Sequence, residues 1–127
     1  MISPLQGCIQ KLDFRSVDIP LNESFQISGG GSEVARLLLL RWTSDNGEFG
    51  WGEAAPFPAY DGYDRETVLD SLKAITPILD DIELRDIYRI SGTLGGQVPG
   101  PLLAALEMAW FDLKGRIEGI PVYEIFG

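Results

Sequence analysis

Apolar and polar residues alternate over the first third of the chain, and that period of two predicts strands. Gln10, Leu12 and Phe14 share one face of the segment 8–19, and Lys11, Asp13 and Arg15 share the other. Pro20 marks its expected end, because proline cannot donate to a ladder. The segment 33–44 is apolar on both faces, with Leu37 and Leu39 on one and Leu38 and Leu40 on the other. That pattern predicts a central strand. Asp45-Asn46-Gly47 supplies the positive-φ chemistry of a tight hairpin. Residues 48–55 return as a third strand, with Phe49, Trp51 and Glu53 on one face and Gly50, Gly52 and Ala54 on the other. The smooth glycine face lets a helix or loop come close. The three strands make an antiparallel meander.

Two segments break the pattern. Residues 21–32 read as a loop around Gly29-Gly30-Gly31, and could be a flexible connector or a mobile functional lid. Phe25 and Ile27 favour the lid, since a bare linker has no need of apolar side chains. Residues 56–63, Pro-Phe-Pro-Ala-Tyr-Asp-Gly-Tyr, form an aromatic, proline-stiffened second loop.

Helical spacing follows. Asp64 is a good N-cap, and Val68, Leu69, Leu72 and Ile75 recur at helical intervals up to Pro77, which is expected to kink or end the helix. A helical turn is expected over 84–90, closed by Gly92, before a loop at Gly95-Gly96. The last helix opens at Pro101. Leu102, Leu106, Ala109, Leu113 and Ile117, flanked by Leu103 and Trp110, give it a broad buried face. Gly119 is its expected C-cap, and Pro121 restarts a short helix ending at Gly127.

Composition narrows the function classes. The chain has 127 residues, 45% hydrophobic and 23% charged, the range of one globular domain. Ten basic against nineteen acidic residues give a net charge of −9, which argues against nucleic acid and anionic membrane as partners. The lone Cys8 cannot form an internal disulfide and, with no signal peptide evident, suits a cytoplasmic protein. The longest apolar run, Leu37 to Leu40, is too short to span a bilayer. Histidine is absent, which removes the commonest general base and metal ligand. No phosphate loop, dinucleotide fingerprint or Cys-x-x-Cys occurs. Asp80, Asp81 and Glu83 read as a solvated acidic cluster, and Glu53 as either a buried acid or the partner of an arginine.

The tail carries a resemblance. Ala104-Ala-Leu-Glu-Met-Ala-Trp-Phe-Asp-Leu-Lys-Gly-Arg116 and Gly119-Ile-Pro-Val-Tyr-Glu-Ile-Phe-Gly127 resemble the end of the N-terminal capping domain of the enolase superfamily, in its mandelate racemase and muconate lactonizing enzyme branch. Gly50-Trp-Gly-Glu-Ala-Ala-Pro56 resembles that family's third strand, and Pro20-Leu-Asn-Glu-Ser-Phe-Gln-Ile-Ser-Gly-Gly30 its first substrate-facing loop. The resemblance covers essentially the whole chain. It implies an α+β capping domain over residues 1–127, with an antiparallel sheet at about 8–56 and a helical bundle at about 64–127, and with the catalytic barrel absent.

For the full-length parent the resemblance implies an isomerase or lyase, a racemase, epimerase or cycloisomerase. Such enzymes take the proton α to a carboxylate while Mg²⁺ stabilises the enediolate. The family's base and metal ligands lie on barrel strands, so no catalytic or metal residue, and no bound Mg²⁺, is expected here. The carboxylate substrate would be met through the missing barrel, and self-association or packing on a barrel domain is expected. What carries over is specificity: Phe25, Ile27 and Ser28 in the first loop, and Phe57 and Tyr60 in the second, are the expected substrate-binding residues. Packing within the loops competes with ligand contact at each of them. Trp110, Asp112, Lys114 and Gly115 are expected to be structural, joining the cap to the barrel. Phe25-x-x-Ser28 and Pro56-Phe57-Pro58 look most like dipeptide epimerases, N-acylamino-acid racemases or o-succinylbenzoate synthases. The alternative is a free-standing, non-catalytic binding module that reuses the fold.

Overall fold

The computed structural model describes residues 9–79, 83, 92 and 98–127. Strands β1 (Ile9–Ile27), β2 (Gly30–Ser44) and β3 (Phe49–Ala54) form one antiparallel sheet in the order β1-β2-β3. They are followed by α1 (Pro58–Asp61), α2 (Arg65–Leu79), α3 (Gly100–Glu118) and α4 (Val122–Ile125). The architecture is the α+β arrangement expected from the sequence, with β2 central.

The end of β1 departs from expectation. Pro20 does not end β1, and residues 21–32 are not a loop. Among the described strands β1 pairs with β2 alone, and an edge strand tolerates a proline because no second neighbour needs its N–H. The ladder slips between Pro20 and Phe25 and then resumes with Phe25 opposite Ser32 and Ile27 opposite Gly30. The glycines serve the reversal: Ser28 and Gly29 make the turn and Gly30 takes φ +136°. The first predicted loop is thus the tip of a long hairpin arm.

The second hairpin follows the sequence. Gly47 holds φ +88°, the Ser44 N–H donates to the Glu48 carbonyl at 2.8 Å, and the Asn46 side chain accepts from the Glu48 N–H at 3.1 Å.

The core lies between one face of the sheet and the helices. Leu38, Leu40 and Trp42 of β2 are fully buried against Val68, Leu72 and Leu79 of α2 and Leu102, Ala105, Leu106, Ala109 and Leu113 of α3. Each fully buried leucine contributes about 1.5–3 kcal/mol of hydrophobic stabilisation. The smooth face of β3 is where α3 comes closest. A Cβ on Gly50 or Gly52 would overlap the α3 backbone at Ala109, Leu113 and Ala105.

Helix α2 starts as expected: the Asp64 carboxylate accepts from the Thr67 N–H at 2.8 Å and from its hydroxyl at 2.7 Å. It runs through Pro77 to Leu79 rather than ending at the proline, and Leu79 beyond it is buried in the core. Gly119 closes α3 at φ +72° and donates to the Gly115 carbonyl. The readings for Asp80-Asp81, for 84–90 and for Gly95-Gly96 lie outside the described residues. Glu53 is solvent-exposed, so it is not a buried acid, and it makes no ion pair among the described residues.

Candidate functional site: a cleft between the hairpin arm and the loop after β3

The hairpin arm and the segment after β3 meet. The rings of Phe25 and Phe57 stand with centroids 5.5 Å apart, tilted by 53°. Gly29 and Gly30 lie against α1: a Cβ on Gly29 would stand 2.5 Å from the Ala59 carbonyl oxygen. The glycines therefore do more than turn the chain, because they let the hairpin tip rest on the next segment. That segment is itself stiffened. Asp61 accepts from the Phe57 N–H at 3.3 Å and from the Tyr63 N–H at 2.9 Å, and Gly62 closes α1 in the left-handed region at φ +79°.

Between them opens a cleft of about 300 Å³, lined chiefly by Leu21, Phe25, Val34, Leu37, Pro56 and Phe57. Its wall is apolar, and among the described residues Arg36 is the one charged side chain in the lining. Such a cleft can hold an apolar side chain and offer one cation to a carboxylate.

Of the five residues expected to bind substrate, the structure brings Phe25 and Phe57 into this cleft. Ile27 is half-buried outside the lining, Ser28 is exposed in the turn, and Tyr60 is 82% exposed on α1. Leu21, Val34 and Arg36 were missed by sequence reasoning, because closing β1 at Pro20 hid the strand pairing that brings them together. The signal was present in the spacing of Leu21, Phe25 and Ile27 across a glycine turn from Ser32 and Val34.

Of the tail residues expected to be structural, Asp112, Lys114 and Gly115 make contacts within the domain. Asp112 accepts from the Trp51 backbone N–H on the outer edge of β3 at 2.8 Å and lies 3.4 Å from Arg116 Nε. Lys114 pairs with Glu118 at 2.8 Å. Gly115 leaves room for the Ile120 carbonyl oxygen, which a Cβ would meet at 2.7 Å. The far side of α3 is different: Met108 and Phe126 are exposed beside Phe111 and Val122, along a groove of about 400 Å³.

Among the described residues no three His, Cys, Asp or Glu side chains group so as to hold a metal ion, so these residues do not fit a Mg²⁺ site. No described helix is long and apolar enough to cross a membrane.

Comparison with known proteins gives the same picture. Residues 10–127 match the family model described as mandelate racemase / muconate lactonizing enzyme, N-terminal domain. The chain is 29% identical over 121 residues to an aromatic dipeptide epimerase of Herpetosiphon aurantiacus, covering 94% of this chain and 34% of that protein. It is 32% identical over 99 residues to a D-galactonate dehydratase of Verminephrobacter eiseniae, covering 72% of this chain and 25% of that protein. The crystal structure of a mandelate racemase/muconate lactonizing protein from Herpetosiphon aurantiacus superposes with a TM-score of 0.89 at 28% identity, over 97% of this chain and 35% of the other. The chain thus spans about a third or less of the length of these relatives. It belongs to the mandelate racemase / muconate lactonizing enzyme N-terminal domain family, the capping domain of the enolase superfamily.

Proposed function

We propose that this chain is the lid of a longer enzyme that removes the proton α to a carboxylate, and that its hairpin arm and post-β3 loop choose the substrate. The observation that carries this is the cleft built jointly by the two segments, with Phe25 against Phe57. A lid of this kind excludes water from the reaction and adds apolar contact to the part of the substrate that does not react. The preferred substrate presents an apolar, preferably aromatic, side chain to Phe25 and Phe57 and a carboxylate to Arg36. The similarity to an aromatic dipeptide epimerase supports a dipeptide, epimerised at one α-carbon.

The base, the metal ligands and the Mg²⁺ belong in this reading to a barrel. The barrel packs on the groove between α3 and α4, where Met108 and Phe126 present apolar surface.

The test is substrate choice in the longer enzyme. Phe25→Ala and Phe57→Ala should each lower kcat/KM for aromatic dipeptides about tenfold or more relative to small ones, the scale of one apolar contact. Unchanged kcat/KM ratios across aromatic, aliphatic and acidic dipeptides would remove these residues from the specificity role.

A further inference from the structure

Arg36, the cation of the cleft lining, stands beside a carboxylate that it does not bind. In the β1–β2 ladder Asp18 lies directly opposite Arg36, so the two side chains leave the same face of the sheet as neighbours. Opposite charges so placed attract. Asp13 and Arg41 stand in the same relation further along the ladder, and they pair at 3.1 Å. Arg36 is exposed and makes no ion pair among the described residues.

Asp18 is engaged elsewhere. Arg65, in the first turn of α2, bonds the Asp18 carboxylate and donates to the Val17 carbonyl at 3.4 Å. Its side chain is only 15% exposed, against 56% for that of Asp18. A guanidinium already fixed by packing and by two acceptors loses less freedom on pairing than an exposed one, so Arg65 wins the carboxylate from Arg36. At Asp13 the second cation is Lys11, which extends from the same strand, is itself exposed and leaves Arg41 in place. Arg65 differs in reaching Asp18 from a helix.

We propose that Arg65 is a positioning residue for substrate recognition: by holding Asp18 it keeps the Arg36 guanidinium free to receive a carboxylate of the substrate. The inference rests on the reading above, in which Arg36 meets that carboxylate. Arg65 itself lies outside the cleft lining and acts through Asp18. Without it, Asp18 turns to Arg36, and a substrate must displace that internal carboxylate before it binds. The charge of the group changes in the same sense. Arg36, Asp18 and Arg65 together are cationic, and loss of Arg65 leaves the remaining two neutral.

The test is the kinetics of the longer enzyme with two dipeptides, aspartyl-phenylalanine and asparaginyl-phenylalanine, which differ by the carboxylate in question. Arg65→Met keeps the stem of the side chain and removes its charge. It should raise KM for aspartyl-phenylalanine about three- to fivefold, the scale of one cross-strand ion pair, with kcat and the KM for asparaginyl-phenylalanine unchanged. Asp18→Asn alone should not raise KM. The double variant R65M/D18N should return KM to the wild-type value. A merely structural role gives no such rescue, because the double variant lacks the same tie between α2 and β1. An unchanged KM in Arg65→Met, an equal rise for both dipeptides, or no recovery in the double variant would each overturn the proposal. Arg36→Ala separates this inference from the reading beneath it. If Arg36→Ala raises KM for aspartyl-phenylalanine, those outcomes strike the role of Arg65 alone. If it does not, the recognition role of Arg36 falls and this proposal falls with it.

Discussion

The Asp112 carboxylate accepts a hydrogen bond from the backbone N–H of Trp51 at 2.8 Å, joining the last long helix to the outer edge of the sheet. Edge strands carry unpaired backbone donors, and this one is satisfied by a side chain 61 residues away. Asp112→Ala should destabilise the domain by about 0.5–1.5 kcal/mol, the net worth of one hydrogen bond whose donor water can reach. Asp112→Asn, which keeps an acceptor, should recover most of it. Urea unfolding of the two variants checks this, and equal losses would mean that the bond itself contributes little.

Gly52 faces the α3 backbone at Ala105 with no space for a side chain. Gly52→Ala must push α3 off the sheet, so it should cost about 3 kcal/mol, at the upper end of the overpacking range. Thermal unfolding reads the effect. Gly47→Ala is a useful contrast, because a Cβ there meets nothing within 4 Å and only the positive φ opposes it. Its loss should be smaller, about 1 kcal/mol.

Acid stability should depend on Asp64 and Asp13. The Thr67 N–H and hydroxyl hold the Asp64 carboxyl below its ordinary value. At Asp13 burial works to raise the value, but hydrogen bonds and charge from Arg41 and Lys11 outweigh it and hold the group low. A carboxylate whose folded pKa is depressed stabilises the fold above its unfolded value. That contribution is fully present above about pH 4–5 and is lost as pH falls through the folded pKa. Asp64→Ala and Asp13→Asn should each flatten the fall of stability with acid. An unchanged slope between pH 5 and the acid transition, measured by urea unfolding, would contradict the assignment.

Arg36 should matter to binding more than to folding, since it is exposed and lines the cleft. In the longer enzyme Arg36→Ala should raise KM for substrates carrying a carboxylate near the apolar side chain by about tenfold, the scale of one charge-assisted hydrogen bond. Stability should change by less than about 0.5 kcal/mol. An unaltered KM would place the substrate's carboxylate elsewhere.

The sheet and its core face were legible because the period of two is local and strong. Leu38 and Leu40 alternate with Leu37 and Leu39, and Gly50 and Gly52 with Phe49 and Trp51. The long helix was legible from Leu102, Leu106, Ala109 and Leu113, and its stop from Gly119. The hairpin arm was not, because Pro20 is a strand breaker only where a neighbour needs its N–H. Whether a strand is central or at an edge depends on the whole sheet. The cleft was half legible. Phe25 and Phe57 stand out as aromatic residues in glycine- and proline-rich segments, whereas Val34 and Arg36 reach the site only through a ladder that resumes after a slip. Asp112 was expected to be structural, but its partner could not be read, since that partner is a backbone N–H distant in sequence.

The central claim is that this chain supplies recognition and leaves proton abstraction to a barrel. The most direct test is α-proton exchange in deuterated water with an aromatic dipeptide and Mg²⁺, followed by proton NMR. The 127-residue chain alone should show no exchange above the buffer rate, while the longer enzyme that carries it exchanges the proton at one α-carbon. Exchange at an enzymatic rate by the isolated chain would contradict the account.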